Sequence, residues 1–221
     1  MTLLIKFFAL ALSALLPLVN PLGSALVFLG LVGNAPAKVY RDLARRIAIN
    51  TTLFLAAVEL AGTAILSFFG ISLRVMQVSG GLVLAAMGWQ LLNQEEPEVK
   101  PEEKEYDAAS FGSLQQKVFY PFTFPVTAGP GTMVVMVTLS AHASVKGVLP
   151  NVMAHVGILL AVVVLSGCVY MSYWYAPRIT ARISAQTAHG IRRVVAFVLL
   201  CIGVQITWNG LEAMLGTLLR P

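Results

Sequence analysis

A chain of 221 residues that is 57% hydrophobic and only 11% charged, with a mean hydropathy of +0.80, falls outside the soluble globular classes. Its formal charge of +5 does not point to nucleic acid, because the lysines and arginines sit at the ends of apolar runs with no interleaved aromatic stripe. They read as topology determinants beside anionic lipid, and the chain reads as an all-α, polytopic membrane protein.

A hydrocarbon core of about 30 Å takes about 20 helical residues. Apolar runs of that order lie at 3–33, 47–69, 74–93, 118–140, 151–175 and 191–218, which predicts six transmembrane helices. The first run would reach about 46 Å as one straight helix at about 1.5 Å per residue, so it must tilt, overrun the bilayer or break. Pro17 and Pro21 favour a break, since proline lacks the amide donor and clashes with the carbonyl four residues back. Residues 1–30 are read as a retained span and not a cleaved signal: no charged region precedes the run, Lys6 lies within it, and it continues past any cleavage point.

The second run carries Glu59, the one carboxylate placed deep in a span. An intramembrane acid is costly and suggests proton or cation handling, with H+ or Na+ as candidate ions; a neutral, hydrogen-bonded acid is the alternative. In the third run Gly81, Ala85 and Gly88 form a small-residue stripe for close helix contact, a role Gly203 and Gly210 can share in the sixth. Such faces permit a homo-oligomer without requiring one. Glu95–Asp107, with seven acids and two lysines, marks a solvated linker over 94–117 between two halves, 1–93 and 118–221. The fourth run opens with Pro121, Pro125 and Pro130 and is expected, like the first, to form half-helices. Gln90, Asn93, Gln205 and Asn209 are expected to join helices by hydrogen bonds, and Cys168 and Cys201 to be packing residues. His142, His155 and His189 have no partner at metal-ligand spacing, so neither a metal nor a cofactor is expected.

Eleven of the fifteen basic residues fall in loops 1, 3 and 5. By the positive-inside rule those loops are cytoplasmic and both termini periplasmic.

The halves resemble each other. Val83–Gln90 matches Val198–Gln205 at an offset of 115. In the broken spans either Asn20-Pro21 matches Gly129-Pro130 at 109, or Pro17 and Pro21 match Pro121 and Pro125 at 104. The first is preferred, because each pair is a cap residue followed by a proline suited to the first helical turn. Three spans per copy make this an inverted 3+3 repeat, a plan that puts one site at the bilayer midplane. The broken segments would supply it. Asn20, Pro21, Gly23 and Ser24 from the first, and Thr127, Gly129, Pro130, Gly131 and Thr132 from the fourth, are the candidate substrate-binding residues. Free amides of Leu22, Gly23, Ser24, Gly131 and Thr132 would meet an anion. The carbonyls of Ser13, Pro17, Pro121 and Val126, left unpaired by the prolines, would meet a cation. A zwitterion satisfies both, and with no charged side chain nearby a small neutral amino acid is favoured.

Leu15-Leu16-Pro17-Leu18-Val19-Asn20-Pro21-Leu22, Phe28–Asn34, Phe69–Ser72, Gly80-Gly81-Leu82, Thr127-Ala128-Gly129-Pro130-Gly131-Thr132 and Gly203-Val204-Gln205 with Asn209-Gly210 closely resemble the MarC family of bacterial inner-membrane proteins. The resemblance spans nearly the whole chain. It implies six spans in the bacterial inner membrane and kinship with the LysE-type exporter superfamily. Through the family's SnatA members it also implies transport of glycine and alanine coupled to the proton gradient. Glu59 stands outside these motifs. Other classes are an exporter of another small polar metabolite, a channel, or a non-transporting accessory protein. An enzyme is not expected, since the broken segments hold no cysteine and no Gly-x-Ser-x-Gly occurs.

Overall fold

The structure is a computed structural model that describes residues 2–33, 35–93, 114–180 and 185–218. Most of the acidic linker, Asn34, Arg182 and Arg220 lie outside the described residues. Among those described there is no strand. The elements are α1 (Thr2–Val19), α2 (Pro21–Val32), α3 (Ala37–Phe68), α4 (Leu73–Asn93), α5 (Val118–Thr127), α6 (Pro130–Ala143), α7 (Val148–Trp174), α8 (Ala176–Thr180) and α9 (Ala185–Leu218). Five helical segments are long and apolar enough to cross a membrane. The pair α5 and α6, bent by 70°, makes a sixth if it is one span.

Half-helices are expected in both the first and fourth spans, and the two behave differently. The first is interrupted only at Asn20. Across that residue the Asn20 amide still donates to the Leu16 carbonyl (2.9 Å) and the Ser24 amide to the Asn20 carbonyl (2.9 Å). Thr2–Leu29 consequently runs as one 28-residue segment that is long and apolar enough to cross a membrane. The fourth span has two prolines within one turn and a half, and both preceding residues, Tyr120 (φ −116°, ψ 123°) and Phe124 (φ −123°, ψ 127°), are extended, as the residue before proline is pushed to be. Both X–Pro bonds there are cis. The chain closes wide turns instead, with the Phe122 amide donating to Lys117 (3.3 Å) and the Ala128 amide to Thr123 (2.8 Å). Threonine hydroxyls replace missing amides: Thr123 Oγ1 donates to Val118 (2.8 Å) and Thr127 Oγ1 to Phe122 (2.6 Å).

The second span starts ten residues before the predicted 47. Charges end an apolar run without ending a helix: Val39, Tyr40, Leu43, Ala44 and Ile47 share a buried face, while Asp42 and Arg46 pair across one turn at 2.8 Å.

The buried core lies where α1, α2, α3, α5, α6 and α7 meet. Phe28 stacks on Tyr173 (centroids 4.5 Å apart) and meets Phe122 edge-on at 5.4 Å. Apart from this, α4 and α9 form the most extensive helix pair. Their small-residue stripes face each other, so that a Cβ on Gly88 would lie 2.6 Å from the Leu200 nitrogen, and one on Gly210 2.9 Å from the Arg74 carbonyl oxygen. The faces that would have permitted a homo-oligomer are used within the chain. Two further expectations are corrected here. Cys168 and Cys201 are exposed on the helix surface and are not packing residues. Gln205 and Asn93 bond within their own helices, to Asn209 (2.8 Å) and the Trp89 carbonyl (2.9 Å), because each has an acceptor one turn away.

Candidate functional site

The junctions α1/α2 and α5/α6 come together around a cavity of about 200 Å³. At the first junction Asn20 adopts the left-handed conformation (φ 43°, ψ 67°), which asparagine tolerates better than most residues, and Pro21 occupies the first helical position. The Asn20 carboxamide oxygen accepts from the Gly23 amide at 3.2 Å. Its amide group folds over Gly23, where any Cβ would collide with it. At the second junction Gly129 is extended and uncapped by a side chain, with Pro130 again at the first helical position.

Asn20, Gly23, Ser24, Gly129, Gly131 and Thr132 all line the cavity. Pro21, Thr127 and Pro130 do not. Pro21 is buried at the helix start, Pro130 faces a separate groove beside Gly80 and Val134, and Thr127 turns away to Tyr173 at 2.7 Å. Because the single Thr127 hydroxyl proton is donated to Phe122, the Tyr173 hydroxyl is the donor in that pair. Ser24 shares its proton between the Val19 carbonyl (2.7 Å) and the Val126 carbonyl (3.3 Å), the second bond linking the two junctions directly.

These bonds revise the inventory of free groups. The amides of Gly23, Ser24 and Thr132 are occupied, Thr132 by the Gly129 carbonyl at 3.0 Å, and the Val126 carbonyl is taken by Ser24. Among the described residues the Leu22 amide has no acceptor, but Leu22 does not line the cavity. Among the described residues, the cavity-lining groups left without a hydrogen bond include three donors: the Asn20 carboxamide nitrogen, the Gly131 amide and the Thr132 hydroxyl. The Pro125 carbonyl is a free acceptor on the same wall. Gly131 also serves packing, since a Cβ there would strike the Leu84 side chain. The remaining wall is apolar, with Met87 and Leu91 from α4 and Leu199 from α9, and no charged side chain lines it. At about 30 Å³ per water the volume holds roughly seven waters, which suits a solute of five or six heavy atoms.

Glu59 is not at this cavity. It is fully buried nine residues from the end of α3, about 14 Å along the helix axis. His155 on α7 is its partner, through Nδ1 and Oε1. Among the described residues the other carboxyl oxygen has no partner, and the Ser140 hydroxyl donates to the Glu59 backbone carbonyl at 2.6 Å. The sequence offered no way to pair positions 96 residues apart. Tyr173, Phe28 and Phe122, which brace the cavity from behind, were equally invisible; the only signal was a tyrosine in an apolar run, whose hydroxyl needs a buried partner.

The sequence profile of the MarC family of integral membrane proteins matches residues 5–215. The chain is 30% identical to the UPF0056 inner membrane protein MarC of Salmonella typhimurium (strain LT2) over 97% of its own length and 98% of that protein's. It is 30% identical to the Salmonella arizonae protein of the same name and 28% to that of Escherichia coli (strain SMS-3-5), with the same coverage. No solved structure matches.

Proposed function

The chain belongs to the MarC family and is a multipass inner-membrane protein, and from that premise we propose that it is a secondary transporter of small neutral amino acids of the glycine and alanine type. The observation that carries the reading is the small, uncharged cavity between the two proline junctions, with three free donors and a free carbonyl on its wall. The donors suit a carboxylate and the carbonyl an ammonium group, so a zwitterion enters without bringing net charge into the membrane. The apolar wall of Met87, Leu91 and Leu199 leaves room for a hydrogen or methyl side chain and no counter-charge for lysine, arginine or glutamate.

In this reading the fold is an inverted repeat of three spans with the site between its two broken elements. Supporting it, contacts between α4 and α9 are reciprocal under a shift of 115 residues. Gly88 meets Ala196 and Leu200, while Gly203, its mate, meets Gly81 and Ala85, the mates of those two. Span pairs follow the same swap: the first packs on the fifth as the fourth packs on the second, and the third on the fourth as the sixth on the first. The orientation that goes with it has loops 1, 3 and 5 in the cytoplasm and both termini in the periplasm. The coupling ion is H+, carried by Glu59 with His155, outside the substrate cavity.

Binding is tested by the thermal midpoint of the purified protein. Glycine and alanine are expected to raise it, by about 2.7 kcal/mol of stabilisation at a hundredfold excess over the dissociation constant, while lysine and glutamate leave it unchanged. Thr132→Val, which removes a hydroxyl at nearly constant shape, should abolish the rise without moving the unliganded midpoint. Equal stabilisation by lysine, or a full response in Thr132→Val, would refute the assignment.

A further inference from the structure

Away from the cavity, α3 and α7 leave a lateral groove of about 700 Å³ whose chemistry changes along its length. At one end Lys38, Arg41 and Arg45 project from one face of α3, at spacings of three and four residues. Asp42 also lines the groove, but its carboxylate is engaged by Arg46, and among the described residues none of the three cations has an acidic partner. Arg41 lies over the Trp174 ring, 5.2 Å from its centroid, which holds the guanidinium plane while leaving its N–H edge free.

Further along, Ser166 lines the groove though only 3% exposed, and among the described residues its buried hydroxyl has no hydrogen-bond partner. A buried hydroxyl without a partner is costly unless something supplies one. Beyond it the walls are Ile49 and Val163, both open on the outer surface of the helix pair, where the chain meets hydrocarbon. Three unpaired cations, then a buried free hydroxyl, then an apolar exit follow the order of a lipid: phosphate, glycerol ester, acyl chain.

We propose that this groove is a binding site for one anionic phospholipid, its phosphodiester held by Lys38, Arg41 and Arg45, an ester oxygen accepting from Ser166, and an acyl chain leaving past Ile49 and Val163. The shared chemistry is a phosphate held against the basic face of α3. What favours the lipid over a free phosphate is the apolar exit, which an inorganic ion would leave unused. The site stands on its own residues and does not depend on the transport reading.

The test is native mass spectrometry of the full chain released from nanodiscs of equal phosphatidylglycerol and phosphatidylcholine. One phosphatidylglycerol should be retained with a preference on the order of tenfold or more. Arg45→Gln, at an exposed position, should lower retention several-fold, and Arg41→Gln/Arg45→Gln on the order of tenfold. Lys146→Gln, remote from the groove, should change nothing. Equal retention in wild type and Arg45→Gln, or no preference for the anionic lipid, would overturn the proposal. A competition arm on the wild-type protein separates the sources: displacement of the lipid by millimolar inorganic phosphate would assign the groove to a free anion and overturn the lipid. Persistence of the lipid supports it.

Discussion

Gly203→Leu is expected to yield no folded protein, and Gly203→Ala a protein with a clearly lowered unfolding midpoint. A Cβ at 203 would lie 2.7 Å from the Gly81 carbonyl oxygen and 2.8 Å from the Ala85 Cα, distances that only movement of the α4 backbone can relieve. Overpacking of that kind costs roughly 1–3 kcal/mol for one methyl group. It acts here on the two helices in most extensive contact, whose association in lipid rests on close packing because hydrocarbon offers no hydrophobic drive between them. Gly216 near the end of the same helix supplies the contrast, since none of the described residues lies within 4 Å of a Cβ there. Gly216→Ala should leave the midpoint unchanged or raise it, by about 0.5–1 kcal/mol from helix propensity. Thermal unfolding in detergent reads both, and equal behaviour of the two alanine variants would contradict the packing described for α4 and α9.

The second large effect is expected at the Glu59–His155 pair. His155→Ala leaves a fully buried carboxyl with neither oxygen bonded, which typically costs about 3–5 kcal/mol when a buried partner is removed. Glu59→Leu/His155→Leu removes both polar groups and should be markedly more stable than His155→Ala, as replacement of a buried pair by apolar residues usually is. A double variant as unstable as the single one would show that the pair is not the source of the cost. Glu59→Gln addresses coupling: it should keep the fold and the stabilisation by alanine while losing the response of uptake to an imposed pH gradient. A retained response would remove Glu59 from the coupling role.

Much of the first-order architecture could be read from the chain. Lengths of apolar runs gave the spans, and the Asn20-Pro21 and Gly129-Pro130 steps located both junctions, because proline and its cap act within a few residues of themselves. Six of the nine predicted binding residues share one cavity for the same reason. What could not be read depends on distant partners or on local competition for hydrogen bonds. That Thr127 would turn to Tyr173 required knowing that α7 passes behind α5. That the Gly23 and Ser24 amides would be consumed by Asn20 required its left-handed conformation. The glycines at 81, 88 and 203 announced a close crossing, but whether within or between chains was settled only by the helix that meets them. The difference in depth between the two breaks follows from proline count: Pro17 and Pro21, with one αL residue between the helices, are absorbed within one continuous segment, whereas three prolines in ten residues accompany a bend of 70°.

In the proposed transport cycle a small zwitterion crosses the membrane through the cavity between Asn20 and Thr132. Uptake of labelled glycine and alanine into proteoliposomes, with and without an inward proton gradient, tests it most directly. Saturable uptake, accelerated by the gradient, blocked by unlabelled alanine but not by lysine, and lost in Thr132→Val, is the predicted result. Uptake no greater than in protein-free vesicles, or the same rate in Thr132→Val as in the unaltered chain, would contradict it.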